Sequence, residues 1–267
     1  MYYLLNDNKY LYQIVESLLF CLLYNKKECE LVNKIDYESV NIYIIFSINK
    51  LDKLPKNFIV YNFEQLATER VWNNDFFEKC KKALRVLDYS LLNIEVFKKN
   101  GISAFHVPYG WSPIIEPEFN LNYEDKKLDI IFLGSKNDRR IKFLDNFKNI
   151  YFNDKCFYGE YEEITKKAKF SFNIHYYKKN TILELTRIIP LISRGVIVLS
   201  EPSSDNYYDN IFKDICIFIK LDEIKKINEI LLNYDFNKCI ENKIKLINKL
   251  NLVKIIKENI NLFYIYK

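Results

Sequence analysis

Glycine is scarce in this sequence: its 267 residues include five of them. The chain therefore lacks G-x-G-x-x-G, the phosphate-binding turn of dinucleotide-dependent dehydrogenases, and G-x-x-x-x-G-K-[ST], the P-loop of many kinases and ATPases. It also lacks G-x-S-x-G, the nucleophile elbow of α/β-hydrolases. These absences argue against three large enzyme classes before any residue is given a role.

Histidine and closely spaced cysteine are scarce too. The chain has two histidines, and none of its six cysteines belongs to a C-x-x-C pair, so we expect no structural zinc site. Most cysteines lie in apolar surroundings, which predicts buried thiols in a reducing compartment. No apolar run approaches the ~20 residues of a membrane span, and Leu18–Tyr24 lacks the basic start of a secretory signal. We therefore predict a cytoplasmic protein, in the host cytoplasm if the chain is viral.

Positive and negative charges nearly balance. Lys and Arg number 40 against 35 Asp and Glu, which leaves a formal net charge of +5 at pH 7. This modest excess suits anionic small molecules or peripheral contact with an anionic membrane, whereas a nucleic-acid partner calls for a denser basic patch. With 49% hydrophobic residues, the composition is that of a globular chain. We expect an anionic small-molecule ligand and no nucleic acid.

Short apolar runs alternate with helical segments, which is typical of parallel α/β sheets. The alternation stops in a segment with two prolines and many charges, and then restarts at Leu128. We predict an α/β protein with two Rossmann-like domains facing a cleft. The predicted strands are 2–5, 42–48, 58–61, 85–87, 104–107, 128–133, 149–152, 169–174, 196–199 and 216–219. The predicted boundaries are 1–112 for the first domain, 113–127 for a linker, 128–250 for the second domain and 251–267 for a C-terminal helix that can cross back to the first.

From Leu221 onward the chain is helical and basic. Ile240, Ile244, Ile247 and Leu250 fall on one helical face. We interpret this face as the contact through which the C-terminal helices pack across the two domains. A helix lying on a membrane surface would have the same basic amphipathic character, so that alternative stays open.

Residues 170–201 contain the densest group of candidate functional side chains. The pattern predicts a buried strand, a polar loop, a helix that begins at Thr181, a glycine stop at Gly195 and a second buried strand. In open α/β sheets, ligands bind beyond the carboxyl ends of the strands. The polar residues that this arrangement places there are His175, Glu184, Arg187 and Glu201.

Residues 86–101, 106–113, 128–140 and 172–201 resemble, in order and spacing, glycosyltransferases of the GT-B fold, and the last two stretches are the more specific. The chain looks most like the group with an E-x7-E-type motif, in a short version found in bacteria and viruses. The resemblance implies that the second domain binds a nucleotide-sugar, with a UDP-sugar as the expected donor, and that the first binds the acceptor. The chain also lacks Asp-x-Asp, the metal-binding pair usual in the other main glycosyltransferase fold, so no metal and no further cofactor are expected.

The resemblance also implies roles for individual residues. Glu184 stands where the second Glu of the motif holds the ribose hydroxyls, whereas Tyr176 stands where the first Glu would face the donor sugar. Gly134 and Ser135 lie in the loop that contacts the phosphates. Together with the residues at the strand ends and at the predicted helix start, the predicted donor site is Gly134, Ser135, Arg139, Arg140, His175, Tyr176, Lys178, Thr181, Glu184 and Arg187.

Structural roles compete with several of these assignments. Thr181 and Glu184 have the spacing of a capping box, in which Glu184 would bond the backbone at the helix start, and Arg187 could simply pair with Glu184 on the helix surface. Arg139 and Arg140 open a helix, where cations are unfavourable unless they serve an anion such as the departing diphosphate.

The remaining polar residues at strand ends also allow more than one role. His175 could bond a phosphate or the sugar, or be a satisfied buried histidine. His106 and Asp88 both end strands of the first domain and compete as the general base for the acceptor hydroxyl. Glu201 and Asp205 could bond the sugar or cap the next turn.

The predicted activity is transfer of a sugar from a nucleotide-diphosphate sugar to an acceptor hydroxyl without a required metal. The catalytic candidates are His106, Asp88 and Arg139. The acceptor could be a glycan, a protein or a lipid-linked molecule. Because Tyr176 replaces a motif Glu and the chain is short for the fold, a second class stays open, namely a non-catalytic binding or scaffold protein on a decayed GT-B fold. A third class is a nucleic-acid or membrane-surface protein, which the spread of the tyrosines along the chain disfavours.

Overall fold

A computed structural model describes residues 1–6, 8–115 and 126–264 of the chain. They form two compact units: the first contains the described residues of Met1–Ile114 and Leu250–Lys267, and the second those of Ile115–Lys249. Most of the linker predicted at 113–127 lies outside the described residues, while Pro113–Ile115 forms a short 3-10 helix. The segment after Leu250 therefore belongs to the first unit.

Strands and helices alternate along most of both units. In chain order, the elements are β1 (Tyr2–Leu5), α1 (Tyr12–Tyr24), β2 (Cys29–Val32), β3 (Ile42–Ile45), β4 (Phe58–Asn62), α2 (Asn74–Lys81), β5 (Arg85–Asp88), α3 (Leu91–Lys99), β6 (Ala104–His106), β7 (Leu128–Leu133), α4 (Asp138–Leu144), β8 (Ile150–Asn153), α5 (Tyr158–Lys167), β9 (Ala168–Asn173), α6 (Leu185–Ser193), β10 (Ile197–Ser200), α7 (Asn206–Phe212), β11 (Ile217–Phe218), α8 (Ile224–Asn233), α9 (Lys238–Lys249) and α10 (Leu252–Glu258). The alternation is interrupted twice, since β2, β3 and β4 follow one another without an α-helix and α8, α9 and α10 without a strand.

In the described part of the first unit, six strands form one sheet in the order β2-β1-β3-β4-β5-β6. Every pairing in it is parallel. The strand β2 was not predicted from the sequence. It lies at the edge of the sheet and exposes Glu30 and Leu31, so it lacks the buried apolar run that marks a central strand.

Trp111 joins the C-terminal segment to the rest of the first unit. Its N–H donates to the Leu250 carbonyl at 2.7 Å, and its own carbonyl accepts from the Leu252 N–H at 2.7 Å. Gly110 allows this close approach, since a Cβ at that position would collide with the Leu250 carbonyl. The helix α10 then packs against α1, with Leu252 and Ile256 buried.

A buried polar network lies at the carboxyl end of β5. The Asp88 carboxylate accepts from Asn62 Nδ2 at 2.7 Å, from the Ser90 backbone N–H at 2.7 Å and from Asn93 Nδ2 at 3.1 Å. The Asn93 amide also donates to the Glu64 carbonyl at 2.7 Å and accepts from the Leu66 N–H at 2.8 Å. Burial raises the pKa of Asp88, while these N–H donors act in the opposite direction. The network thus ties β4, β5 and the start of α3 together.

Asp88→Asn is expected to lower the free energy of unfolding by about 1–3 kcal/mol, because the new NH2 group faces N–H donors that lose their acceptor. Chemical denaturation followed by circular dichroism measures the change. Asp52→Asn, at an exposed position of the same unit, is the matched control and is expected to change stability by less than about 0.5 kcal/mol. A loss at Asp88 no larger than that of the control would contradict the network.

In the described part of the second unit, five strands form a parallel sheet in the order β11-β10-β9-β7-β8. The central strand β9 lies between β7 and β10, and its aromatic residues Phe170 and Phe172 belong to the core. The carboxyl ends of β7, β9 and β10 are therefore neighbours at one edge of the sheet, and the loops that follow them meet there.

The helix after β9 begins later than predicted. α6 starts at Leu185 instead of Thr181, and Glu184 occupies its N-cap position without a side-chain capping bond. The capping-box prediction is therefore wrong: Glu184 forms ion pairs with arginines, and Thr181 exchanges hydrogen bonds with Ser204. The predicted stop is confirmed, since Gly195 has a φ of +68° directly after the helix.

The face predicted for the α9 region is buried only in part: Leu250, directly after the helix, is 2% exposed and Ile247 is half-buried, but most of the buried stripe is a different one. The buried residues of α9 are Cys239, Asn242, Lys243 and Leu246, whereas Ile240 and Ile244 are 44% and 52% exposed. One residue along a helix turns the side chain by about 100°, so a stripe that starts at Cys239 instead of Ile240 faces another direction. α9 packs against α6, and that contact selects the Cys239–Leu246 stripe.

All six cysteines are buried free thiols, as predicted from their apolar surroundings. Burial raises the pKa of Cys21 and Cys80 to about 12. In the described ranges of the chain, no helix combines the length and the hydrophobicity needed to cross a bilayer.

Candidate functional site

The candidate site is a polar cluster at the carboxyl edge of the second unit's sheet. It is built by the loop between β7 and α4, the segment between β9 and α6, and the segment that follows β10. We call this group the edge cluster; its charged members are Arg139, Arg140, Glu184, Arg187 and Glu201.

Glu184 is the centre of the edge cluster. It is 9% exposed, forms an ion pair with Arg187 through Oε2, and accepts from Arg140 Nη2 at 3.2 Å through Oε1. Burial opposes ionisation of this carboxyl. Arg187 and Arg140, together with His175 and the Tyr176 backbone N–H, outweigh burial and hold the pKa of Glu184 below its usual range. Glu184 is therefore a carboxylate at neutral pH.

Arg187 reaches from α6 to the ends of two strands. Its Nη1 donates to Asn173 Oδ1 at 3.0 Å, at the end of β9. On the other side, a Cβ placed on Gly134 would lie 2.9 Å from Arg187 Nη2. Gly134 therefore lets the guanidinium lie directly against the backbone at the end of β7.

Arg140 is 2% exposed, and backbone carbonyls accept hydrogen bonds from three of its nitrogens. Its Nε and Nη2 donate to the Ile174 carbonyl at 2.9 and 2.6 Å, and its Nη1 donates to the Ser135 carbonyl at 2.8 Å. Burial and the neighbouring Arg187 lower the pKa of Arg140 to about 10, so it stays charged at neutral pH. The rigid guanidinium fork thereby joins the loop after β7 to the segment after β9.

Arg139 and Glu201 hold the backbone of His175 from both sides. Arg139 Nη1 donates to the His175 carbonyl at 2.9 Å, and Arg139 also forms an ion pair with Glu201 Oε1. Glu201 Oε2 accepts from the His175 N–H at 3.1 Å. Glu201 thus bonds Arg139 and the His175 backbone instead of capping the next turn. Asp205 accepts a hydrogen bond from the Tyr207 N–H and caps α7, which is one of the two roles considered for it.

The imidazole of His175 is 2% exposed, and neither Nδ1 nor Nε2 has a hydrogen-bond partner among the described residues. Buried polar atoms in proteins nearly always have one. Glu184 and Asp209 are its electrostatic neighbours, since His175 lowers the pKa of both carboxyls against the effect of burial.

The other predicted donor-site residues lie around this cluster. Tyr176 is 44% exposed, and its ring faces the Arg140 guanidinium at 5.2 Å. Ser135 and Lys178 are exposed, and Thr181 is buried against Ser204. Seven of the ten predicted donor-site residues thus lie in the segments that follow β7 and β9, and the other three, Arg139, Arg140 and Arg187, lie in the first turns of α4 and α6. His106 and Asp88 belong to the first unit, at the paired ends of β6 and β5.

Two contributors were missed from the sequence. Asn173 bonds both Arg187 and Ser200 Oγ, the latter at 2.9 Å, and its signal was a polar residue that ends a buried apolar run. Asp209 accepts from the Ser203 N–H and Oγ, both at 2.8 Å. It lies on a helix with no local pattern that distinguishes it from a surface carboxylate.

Within residues 1–6, 8–115 and 126–264, no group of three or more His, Cys, Asp or Glu side chains has the arrangement of a metal site.

No protein-family model matches the chain. An uncharacterized protein, R358, of Acanthamoeba polyphaga mimivirus is 33% identical over 195 residues. The matched region covers 68% of this chain and 65% of the mimivirus protein, so the chain spans somewhat less than two thirds of that relative.

Solved structures of glycosyltransferases share the fold over nearly the whole chain. An α-glucosyltransferase in complex with UDP-glucose and DNA containing an abasic site has a TM-score of 0.67 and 12% identity, with 98% of each chain covered. WaaG, a glycosyltransferase of lipopolysaccharide biosynthesis, has a TM-score of 0.59 and 10% identity, also with 98% of each chain covered. Anabaena HepE in complex with UDP and glucose has a TM-score of 0.59 and 8% identity at the same coverage. The chain therefore has the predicted α/β architecture of the GT-B glycosyltransferases, with two parallel sheets of Rossmann-like type. Membership of the E-x7-E group stays a prediction.

Glu184→Gln is expected to lower the free energy of unfolding by about 3–5 kcal/mol at neutral pH, because Arg140 and Arg187 lose their buried counter-charge. Since the pKa of Glu184 is lowered in the folded protein, its stabilisation is complete above its ordinary pKa of 4.5 and is lost as the pH falls through the lowered value.

Urea denaturation at pH 7 and at successively lower pH measures this difference, which is expected to shrink towards acid. The control is Glu229→Gln, which removes an exposed carboxylate from α8. A difference from wild type that is independent of pH would rule out the ion-pair role.

Proposed function

We propose that this protein is a glycosyltransferase that moves a sugar from a UDP-sugar to an acceptor hydroxyl and requires no metal ion. The observation that carries the proposal is the edge cluster. A buried carboxylate, a guanidinium laid against a glycine and a buried imidazole without a hydrogen-bond partner among the described residues converge at the carboxyl edge of the sheet. Structures that share the fold were solved in complex with UDP-glucose or with UDP and glucose. The fold and the cluster together support a donor site in the second unit.

Glu184 is the proposed ribose ligand. Its Oε2 carries the ion pair to Arg187, and because a carboxylate oxygen has two lone pairs, one remains for a hydroxyl. A ribose has two neighbouring hydroxyl donors, and an ionised carboxylate is the acceptor that bonds them best.

Arg187 and Lys178 are the proposed ligands of the diphosphate. Arg187 lies beside Gly134, so phosphate oxygens that approach this backbone would meet the guanidinium. The sequence predicts that Arg139 and Arg140 bind the diphosphate, but their N–H groups already donate to carbonyl and carboxylate oxygens. We therefore assign both to holding the segment after β9 in place, and assign compensation of the leaving group's charge to Arg187 and Lys178.

In the proposed reaction, the acceptor hydroxyl forms a bond to the anomeric carbon while the bond from that carbon to the phosphate oxygen breaks. UDP leaves with the electron pair, and the hydroxyl proton goes to a base.

Two residues of the first unit are candidates for this base. Asp88 is buried among N–H donors, so we assign it a structural role. His106 is the proposed base: it ends β6 opposite Asp88, and a hydrogen bond between its Nε2 and the Tyr89 carbonyl at 3.0 Å orients the imidazole.

A thermal-shift screen tests the donor assignment. UDP, UDP-glucose, GDP, ADP and CMP are added to wild type, Arg187→Gln and Glu184→Gln, with and without EDTA. A ligand at 100 times its Kd adds about 2.7 kcal/mol of stability. We expect a shift with uridine nucleotides that persists in EDTA and is reduced in both variants relative to their own ligand-free midpoints.

Lys225→Gln is the matched control, because it removes one positive charge from an exposed position on α8. It is expected to keep the full shift. Loss of the wild-type shift in EDTA would reject metal independence alone. The absence of any nucleotide shift in wild type would reject the transferase and favour the non-catalytic binding protein.

A further inference from the structure

His175 holds a buried imidazole whose two nitrogens have no partner among the described residues, although the residue is 2% exposed. A neutral imidazole offers one donor and one acceptor, and leaving both unbonded away from water destabilises the folded protein. Such a group in a sheet-edge loop suggests that a ligand completes its hydrogen bonds.

The position of the ring is fixed by the chain on either side of it. Arg139 bonds the His175 carbonyl, Glu201 bonds the His175 N–H, and the two side chains form an ion pair with each other. Arg140 holds the preceding carbonyl, that of Ile174, with two N–H groups. The backbone therefore has little freedom to turn the imidazole towards another protein partner.

The charges around the ring indicate what kind of group it can bind. Glu184 and Asp209 both interact electrostatically with His175, and Glu201 bonds its backbone N–H. A carboxylate next to the imidazole disfavours a phosphate there, and the arginines of the edge cluster are engaged by the His175 and Ile174 carbonyls and by Glu184. A sugar hydroxyl is neutral, and it both donates and accepts, so it can bond an imidazole nitrogen and a carboxylate oxygen together.

We propose that His175 contacts a hydroxyl group of the transferred sugar, and that Arg139 and Glu201 are the positioning pair that aims it. The proposal rests on the proposed function, since it requires a nucleotide-sugar in the edge cluster. It divides that site into two parts: Arg187 and Lys178 face the diphosphate, and His175 faces the sugar.

Titration calorimetry with UDP and with a UDP-sugar separates the two parts. The sugar probe is whichever of UDP-glucose, UDP-galactose and UDP-N-acetylglucosamine binds wild type most tightly. For His175→Ala we expect the Kd of UDP to stay within about twofold of wild type and the Kd of the UDP-sugar to rise about 2- to 10-fold, the worth of one neutral hydrogen bond.

The other outcomes reject specific parts of this assignment. Equal weakening of UDP and UDP-sugar would mean that the imidazole contacts a phosphate, and unchanged binding of both would mean that it contacts no ligand; either result overturns the proposal while the transferase assignment stands. Failure of wild type to bind any uridine compound would instead reject the UDP-sugar assignment and, with it, this role of His175.

Two further variants separate this role from a purely structural one. His175→Leu is expected to leave the ligand-free unfolding midpoint unchanged or higher while it loses the preference for the UDP-sugar, because no protein hydrogen bond is removed. Glu201→Gln is expected to weaken the UDP-sugar selectively, by less than His175→Ala, and Glu229→Gln to leave both Kd values at wild type. A clear fall in the ligand-free midpoint of His175→Leu would overturn the proposal.

Discussion

The buried guanidinium of Arg140 is the constraint on which the second unit's site depends. A charge taken out of water must be compensated by hydrogen bonds and an opposite charge, and here the Ile174 and Ser135 carbonyls and Glu184 provide both. These partners come from three separate stretches of chain. Satisfying one side chain therefore fixes how the loop after β7, the segment after β9 and the start of α6 lie against one another.

The buried polar network around Asp88 and the edge cluster differ in whether their polar groups are available to a ligand. In the first unit, Asp88 is surrounded by amide and backbone N–H donors that fill its acceptor positions, so the network stabilises loops and offers nothing to a ligand. In the edge cluster of the second unit, neither imidazole nitrogen of His175 has a hydrogen-bond partner among the described residues. A site that binds ligands gives up some stability to keep such groups available, which is consistent with placing the donor chemistry there.

Local sequence signals predicted the features that depend on neighbouring residues. Buried apolar runs located the central strands, and Gly195 marked the end of α6, because only the backbone nearby decides these features. The start of α6 was predicted wrongly, since the Thr181 hydroxyl finds Ser204 and the Glu184 carboxylate finds Arg140 and Arg187. A capping pattern depends on residues three positions apart, so it does not indicate partners that are distant in the sequence. The same holds for α9, where contact with α6 and not the isoleucine stripe selects the buried face.

The sequence by itself determined the α/β class, the sheet edge at which the polar residues gather and the identity of most residues in the candidate site. These features follow from periodicity and from residue types at strand ends, which are properties of the chain within a few turns. Only the tertiary structure decided what each charge does. Arg139 and Arg140 follow a strand end, where a phosphate ligand is expected, but packing directs their guanidinium groups to backbone carbonyls. Packing also buries His175 with both ring nitrogens unbonded among the described residues. Which charges are satisfied depends on groups tens of residues apart, and only the folded chain brings those groups together.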